Sequence, residues 1–127
     1  MNKWIRVCEI LLGLIFLGAG LNGYAVLFGF DPFAPTSPAA MDFLGDGYLL
    51  ALEKGVEIIA GILLLIGRFV PLVLTVLAGL IVNILAFHIF VDPELLLLAI
   101  FITLLEVILV WNYRDRFMGL LKSRSTN

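Results

Sequence analysis

The chain has 127 residues, of which 62% are hydrophobic and 14% charged, whereas soluble domains average about 45–50% apolar and roughly 25% charged residues. With a mean hydropathy of +1.13, this composition predicts an integral membrane protein. The formal charge of −2 excludes the clustered basic surface that nucleic-acid binding requires. The single cysteine, Cys8, excludes an intrachain disulfide and a cysteine-based zinc site.

Four apolar stretches predict four membrane-spanning helices, at residues 5–28, 48–66, 71–91 and 95–113. Each stretch is close to the roughly 20 residues that a spanning helix needs. Short turns at 67–70 and 92–94 make neighbouring spans antiparallel. We therefore expect one all-α membrane domain over residues 1–127, an antiparallel four-transmembrane-helix bundle. A cleaved signal peptide is the alternative for the first stretch, although no small-residue cleavage site follows it promptly.

The connection at residues 29–47 contains three X-Pro steps, which favour extended backbone and argue against a spanning helix. It is unusually apolar for a connection, so we expect it to lie on the bundle or at the headgroup level as a cap.

The positions of Lys and Arg predict the orientation, because positively charged loops stay in the cytoplasm. All of them except Lys54 fall in the first six residues, in the second connection or in the tail at 114–127, which includes Arg124. The first and third connections carry only acidic charges. Both termini are therefore expected in the cytoplasm, in a multi-pass protein of the bacterial cytoplasmic (inner) membrane.

Polar and small residues at helical spacing predict which face of each span points to the bundle axis, because such residues collect on protein-facing stripes in membranes. The four stripes are Glu9, Gly13 and Gly20 in the first span; Glu53, Glu57, Gly61, Leu64 and Arg68 in the second; Thr75, Gly79, Asn83 and Ala86 in the third; and Ala99, Thr103, Glu106 and Tyr113 in the fourth.

Glu57 is the most unusual of these residues, because it lies near the middle of its span. It must be protonated, paired with Lys54 one turn earlier, or hydrogen-bonded by a neighbour. It is either a structural hydrogen-bond hub or a proton or ligand site. His88 could hydrogen-bond a quinone carbonyl, relay a proton or satisfy a loop carbonyl. The predicted polar pocket, in the outer half of the bundle, is formed by Glu53, Glu57, Asn83, His88 and Asn22.

Glu9 and Glu106 lie toward the cytoplasmic half of their spans, where Arg6 or Arg68 could pair with them. We expect these pairs to be structural. No catalytic or phosphate-binding motif appears in the sequence, so no self-contained active site, no metal site and no intrinsic cofactor is predicted.

A block of five residues, Glu-x-x-x-Gly followed by Gly-Arg-x-x-Pro, resembles the DoxX family of small membrane proteins. In this chain the block is Glu57, Gly61, Gly67, Arg68 and Pro71. The segments 6–22, 83–88, 92–93 and 113–117 are similar to the same family, so the resemblance extends over nearly all four spans. It implies a bacterial four-helix membrane protein whose relatives include a subunit of a thiosulfate:quinone oxidoreductase, and it transfers no catalytic residue.

Three hypotheses for the function follow. The first is a membrane subunit of a redox complex that binds a quinone or another small amphiphile in the polar pocket. The second is an assembly or chaperone-like protein that binds other membrane helices. The third is a small transporter built as a parallel homo-oligomer. Whether the chain takes part in catalysis is left open by its sequence.

Overall fold

The computed structural model describes residues 2–123; residue 1 and residues 124–127, which include Arg124 of the predicted tail, lie outside the described residues. The described chain is helical and contains no strand. Its helices are α1 (Lys3–Leu27), α2 (Pro38–Leu44), α3 (Tyr48–Ile66), α4 (Val70–Phe90), α5 (Leu96–Asn112) and α6 (Arg114–Phe117), with 3-10 turns at Pro93–Leu95 and Met118–Leu121. The ends of the four predicted spans differ from those of the long helices by no more than two residues.

Three segments are long and apolar enough to cross a membrane: Lys3–Leu27, Val70–Phe90 and Pro93–Asn112. The chain is therefore a multi-pass membrane protein. Helix α3 has 19 residues, but any stretch of 18 residues within it includes three ionisable side chains, those of Glu53, Lys54 and Glu57. Its assignment as a fourth span stays a prediction.

The turn between α3 and α4 explains the Gly-Arg-x-x-Pro part of the sequence block. Gly67 ends α3 with a φ of 71°, a left-handed conformation that glycine adopts without steric cost. The backbone N–H of Arg68 then donates to the carbonyl of Leu63 at 2.9 Å. Pro71 lies in the first turn of α4, where its missing N–H has no intrahelical partner to lose.

Glycines let α1 and α3 approach closely. A Cβ atom on Gly61 would lie 2.7 Å from the carbonyl oxygen of Gly13 and 2.7 Å from the backbone nitrogen of Leu17. A Cβ atom on Gly20 would lie 2.9 Å from the carbonyl oxygen of Lys54. These are backbone atoms that cannot move aside, so the distance between the two helices depends on these glycines. Helix α5 packs on α1, and α4 packs on α5 and α3.

The interior has two halves of different character. At the end where α1 and α4 begin, here called the Arg6 end, buried apolar side chains fill the space between the long helices; they include Leu12, Phe16, Leu64, Leu74 and Leu109. At the opposite end a cavity lies between the helices beneath residues 29–47, here called the lid. The outer surface is apolar, as in a protein surrounded by lipid: Phe90 and Leu97 are each 84% exposed.

Residues 29–47 contain no helix long enough to span a membrane, but they include the short helix α2 (Pro38–Leu44), with Ser37 as its N-cap. One sequence prediction needs correction. The predicted stripe of α4 faces outward: Thr75, Gly79 and Asn83 are exposed, while Leu74, Leu77 and His88 are among the buried residues. Since α4 is apolar on nearly all sides, its few polar residues are poor indicators of its inner face.

Candidate ligand-binding site

A cavity of about 420 Å³ lies at the lid end of the molecule. Side chains of α1, α3, α4 and α5 form its walls, and lid residues 33–37 with part of α2 form its roof. Four of the five predicted pocket residues line it: Asn22, Glu53, Glu57 and His88. Most of the remaining lining is apolar, which is the usual character of a small-molecule site.

Asn22 holds the lid in place. Its side-chain oxygen accepts hydrogen bonds from the backbone N–H groups of Phe33, at 2.8 Å, and Ala34, at 3.3 Å. Its amide nitrogen donates to the carbonyl of Ala34 at 3.3 Å. Asn22 is therefore a structural residue of the pocket, since both ends of its amide group are engaged.

Ser37 and Asp92 form a second attachment of the lid. The Ser37 hydroxyl donates to the Asp92 carboxylate and accepts from the backbone N–H of Ala40, which caps α2. The Ser37 hydroxyl and the backbone N–H of Glu94 hold the pKa of the Asp92 carboxyl below its usual value. A negatively charged Asp92 thus favours the closed position of the lid.

His88 is buried below this attachment. Its Nδ1 lies 2.8 Å from the backbone carbonyl oxygen of Asp92, so it satisfies a loop carbonyl, one of the three roles expected of it. The same hydrogen bond fixes the orientation of the ring. The Nε2 atom makes no hydrogen bond to any residue that the structure describes.

Glu57, Lys54 and Glu53 bring three ionisable side chains to the cavity. Lys54 Nζ lies 3.0 Å from Glu57 Oε2 and 3.8 Å from Glu53 Oε1. The first contact is an ion pair without the alignment of a hydrogen bond, because Oε2 has no hydrogen-bond partner within residues 2–123. The aliphatic part of Lys54 lies on Gly23, where a Cβ atom would come within 2.4 Å of Lys54 Cγ. Gly23 therefore makes room for the lysine.

Asn83 is separate from the main cavity. It is exposed and borders a smaller pocket of about 60 Å³, which it shares with Glu53 and His88 among others. Its predicted position on the bundle axis is wrong, because α4 turns this side chain outward.

At the Arg6 end a second charged cluster closes the bundle. Arg6 Nη1 donates to Glu9 Oε1 at 2.9 Å and to the carbonyl of Leu64 at 2.7 Å, and its Nη2 donates to the carbonyl of Leu65. The Tyr113 hydroxyl donates to Glu9 Oε2. The guanidinium thus caps the carbonyl end of α3, where a positive charge is stabilising. The predicted Arg6–Glu9 pair is present.

Arg68 takes no part in this cluster. It was the alternative partner for Glu9 and Glu106, but it is exposed and forms an ion pair with neither. The left-handed turn at Gly67 directs the chain away from α3, which leaves that helix end to Arg6.

Glu106 is buried, and neither carboxylate oxygen has a hydrogen-bond partner in the described part of the chain. It lies one helical turn from Ile102, which lines the cavity, but it does not line the cavity itself. The sequence identified Glu106 as a buried polar residue and predicted a cation partner that the structure does not provide.

The sequence named Lys54 as a possible partner of Glu57, and the structure shows that contact, but the lid contact between Ser37 and Asp92 was not predicted. Ser37 and Asp92 are 55 residues apart, and no local pattern signals such a contact. A Ser-Pro step followed by a short helical stretch is the one signal that could have identified Ser37 as a cap.

Residues 2–123 contain no group of three or more His, Cys, Asp or Glu side chains that could hold a metal ion. Comparison of the chain with models of protein families, with curated proteins and with solved structures gives no match in any of the three.

Proposed function

We propose that the chain is a DoxX-like protein of the bacterial cytoplasmic membrane, with α3 as a fourth span and both termini in the cytoplasm. The antiparallel packing of α3 on α1 supports this topology. Gly13 of α1 lies against Gly61 of α3, and Gly20 and Gly23 of α1 lie against Lys54. The ion pair between Lys54 and Glu57 lowers the cost of placing these charges within the bilayer.

The topology predicts where single cysteines can be labelled. Cysteine in place of Pro35 or Pro93 should react with a membrane-impermeant reagent added outside the cell. Cysteine in place of Arg68 should react only after the membrane is opened. Labelling of the first two from the cytoplasmic side alone would contradict the proposed topology.

We propose further that the cavity binds the head group of a quinone-class amphiphile, and that the chain is a membrane subunit of a redox complex. The single observation that carries this proposal is the cavity at the lid end, which combines apolar walls with a few polar groups that have no hydrogen-bond partner among the described residues. Buried polar groups in membranes normally have partners, and a cavity of this volume falls in the range of small-molecule sites. In this role the quinone and a partner subunit carry the redox chemistry.

Binding of a short-tailed ubiquinone analogue to the purified chain in lipid nanodiscs tests this function. We expect saturable binding in at least one redox state, weakened about tenfold or more by Glu57→Gln or by His88→Ala. Asn83→Ala is the matched control, because Asn83 lies outside the cavity. Absence of binding at saturating analogue in both redox states would refute the proposal.

A second candidate function is supported by the outer face of α4. Asn83 is exposed near the middle of an apolar helix, and a Cβ atom on nearby Gly79 would meet nothing within 4 Å. An amide facing lipid is costly unless another helix pairs with it. An assembly protein that binds other membrane helices would use this face.

The two functions are distinguished by their sensitivity to substitution. A helix-binding role predicts a membrane-protein partner, or a parallel homo-oligomer, that is lost in Asn83→Leu and kept in Glu57→Gln. The reverse pattern would favour the quinone-linked role.

A further inference from the structure

The polar groups around the cavity differ in what they can offer a ligand. Asn22 and Ser37 offer little, because most of their hydrogen-bonding atoms are engaged. Lid atoms engage the side-chain oxygen and one N–H of Asn22, and the Ser37 hydroxyl donates to Asp92 and accepts from Ala40. Thr36 also lines the cavity, and its hydroxyl can donate or accept. The character of the site therefore depends on His88 and on the charged residues of α3.

His88 contributes an acceptor. The carbonyl oxygen of Asp92 can only accept a hydrogen bond, so the proton of the neutral ring must be on Nδ1. Nε2 then carries a lone pair and no hydrogen. A ligand atom that approaches Nε2 favourably must bring its own proton.

The α3 residues also contribute mainly acceptors. Two carboxylates, Glu53 and Glu57, line the cavity with one lysine, so their ionised forms leave an excess of one negative charge. The Lys54 ammonium lies between them, within 3.0 Å of one and 3.8 Å of the other. Its positive charge thus faces two carboxylates, while Glu57 Oε2 has no hydrogen-bond partner among the described residues.

We propose that the cavity selects a head group that donates hydrogen bonds, so that it binds the hydroxyl form of its ligand, a quinol, in preference to the carbonyl form, a quinone. This inference rests on the proposed function, since it assumes that the cavity binds a quinone-class amphiphile. A quinone carbonyl would face the lone pairs of Nε2 and of the carboxylate. Hydrogen-bond acceptors would then face each other with no hydrogen between them, which is unfavourable in an apolar site. A quinol hydroxyl satisfies one of them.

A matched pair of ligands tests this selection on the native chain. The pair consists of an alkyl-tailed naphthol and its methyl ether, which differ only in the donor hydrogen and the methyl group that replaces it. We expect the naphthol to bind about tenfold tighter or more, because a hydrogen bond to a charged acceptor contributes that much. A matched quinol and quinone, measured anaerobically by calorimetry in nanodiscs, should show the same order. A tenfold preference corresponds to a positive shift of about 30 mV in the potential of the bound two-electron couple.

To avoid a steric explanation, the naphthol is also compared with the same ring bearing a plain methyl group. The affinity of the naphthol should exceed the affinities of both analogues by a similar factor. Glu57→Gln, which places an amide donor in the cavity, should reduce the preference to about threefold or less. Glu106→Gln is the matched control, since it makes the same exchange at a buried glutamate outside the cavity, and it should keep the preference of the native chain.

The outcomes separate this inference from the function on which it rests. Equal binding of the naphthol and its methyl ether, or tighter binding of the quinone, overturns donor selection and leaves a ligand-binding cavity. Failure of every ligand to bind at saturation overturns the proposed function and this inference with it. A preference that falls equally in Glu57→Gln and Glu106→Gln shows that Glu57 is not its source, and overturns the assignment of the acceptor to α3.

Discussion

The two ends of the molecule use the same local arrangement for different purposes. Arg6 and Glu9 in α1, and Lys54 and Glu57 in α3, are both cation–glutamate pairs three residues apart on a helix. At the Arg6 end, Tyr113 and the last carbonyls of α3 complete the pair, and apolar side chains fill the space around it. At the lid end, Glu57 borders a cavity and one of its oxygens lacks a hydrogen bond. The surroundings of a buried ion pair, more than the pair itself, separate a structural cluster from a candidate site.

Removal of the two glutamates should have unequal effects on stability. Glu9→Leu leaves Arg6 and Tyr113 without their carboxylate and should cost about 2–3 kcal/mol, at or below the lower limit of about 3 kcal/mol for fully buried pairs, because Arg6 is partly exposed. Glu57→Leu should cost less than about 1 kcal/mol, because Lys54 keeps Glu53 and an incompletely paired carboxylate is removed. Unfolding in mixed micelles, followed by circular dichroism, measures both. Equal losses would contradict the distinction between the two ends.

Gly61 lies between the two clusters, so its substitution should disturb both. In Gly61→Ala the new methyl group would meet backbone atoms of α1 at 2.7 Å, which should cost about 1–3 kcal/mol in the same unfolding assay. Gly79→Ala is the matched control, because nothing lies within 4 Å of the added atom; it should be neutral or stabilise by about 0.5 kcal/mol. A neutral Gly61→Ala would show that α1 and α3 can separate freely.

Loss of the hydrogen bonds between Asn22 and the lid should affect the lid and leave the rest of the protein unchanged. Asn22→Ala removes three hydrogen bonds to Phe33 and Ala34, so amide hydrogen exchange in residues 29–37 should accelerate by an amount equivalent to about 1 kcal/mol of protection. Exchange at the Arg6 end should not change. Asn83→Ala provides the matched asparagine control, and acceleration in that variant would contradict the assignment of the lid contact to Asn22.

The smallest expected effect is the dependence of the lid on pH. Because the pKa of Asp92 is lowered in the folded protein, its contribution to lid closure is present above the ordinary carboxyl pKa of about 3.9 and is lost as the pH falls through the lowered value. Hydrogen exchange around Ala40 should therefore accelerate only in acid. Ser37→Ala should remove much of this dependence, since it removes the principal cause of the shift. An unchanged acid response in Ser37→Ala would contradict this origin.

The sequence predicted the elements better than it predicted their faces. Apolar length defined the limits of the long helices, and the inward position of Glu9, Glu57, Gly61 and Glu106 followed from helical spacing. The inner face of α4 could not be predicted in this way, because apolar residues surround it and Asn83 lies on the outside. The predicted outer pocket residues largely meet around one cavity, although their role as a ligand site stays a prediction.

Contacts between distant segments explain most of what was missed. The hydrogen bond from Ser37 to Asp92 and the one from Tyr113 to Glu9 each join residues far apart in sequence. The choice of Arg6 over Arg68 at the end of α3 depends on the direction of a turn, which residue types alone do not specify. Lys54 did not fit the distribution of Lys and Arg from which the orientation was predicted. The space beside Gly23 that accommodates its aliphatic chain depends on how α1 packs on α3, which the sequence does not specify.

The glycine-lined surface of α1 also bears on how the chain enters the membrane during synthesis. On the proposed topology α3 is the segment that lipid alone would accept least readily, and α1 is a long helix that is made before it. Gly13, Gly20 and Gly23 present α3 with a shaped groove that accepts Gly61 and the stem of Lys54. We expect α1 to act as a template at the insertion machinery, so that bulky residues in this groove reduce the yield of inserted protein before they affect any property of the finished one.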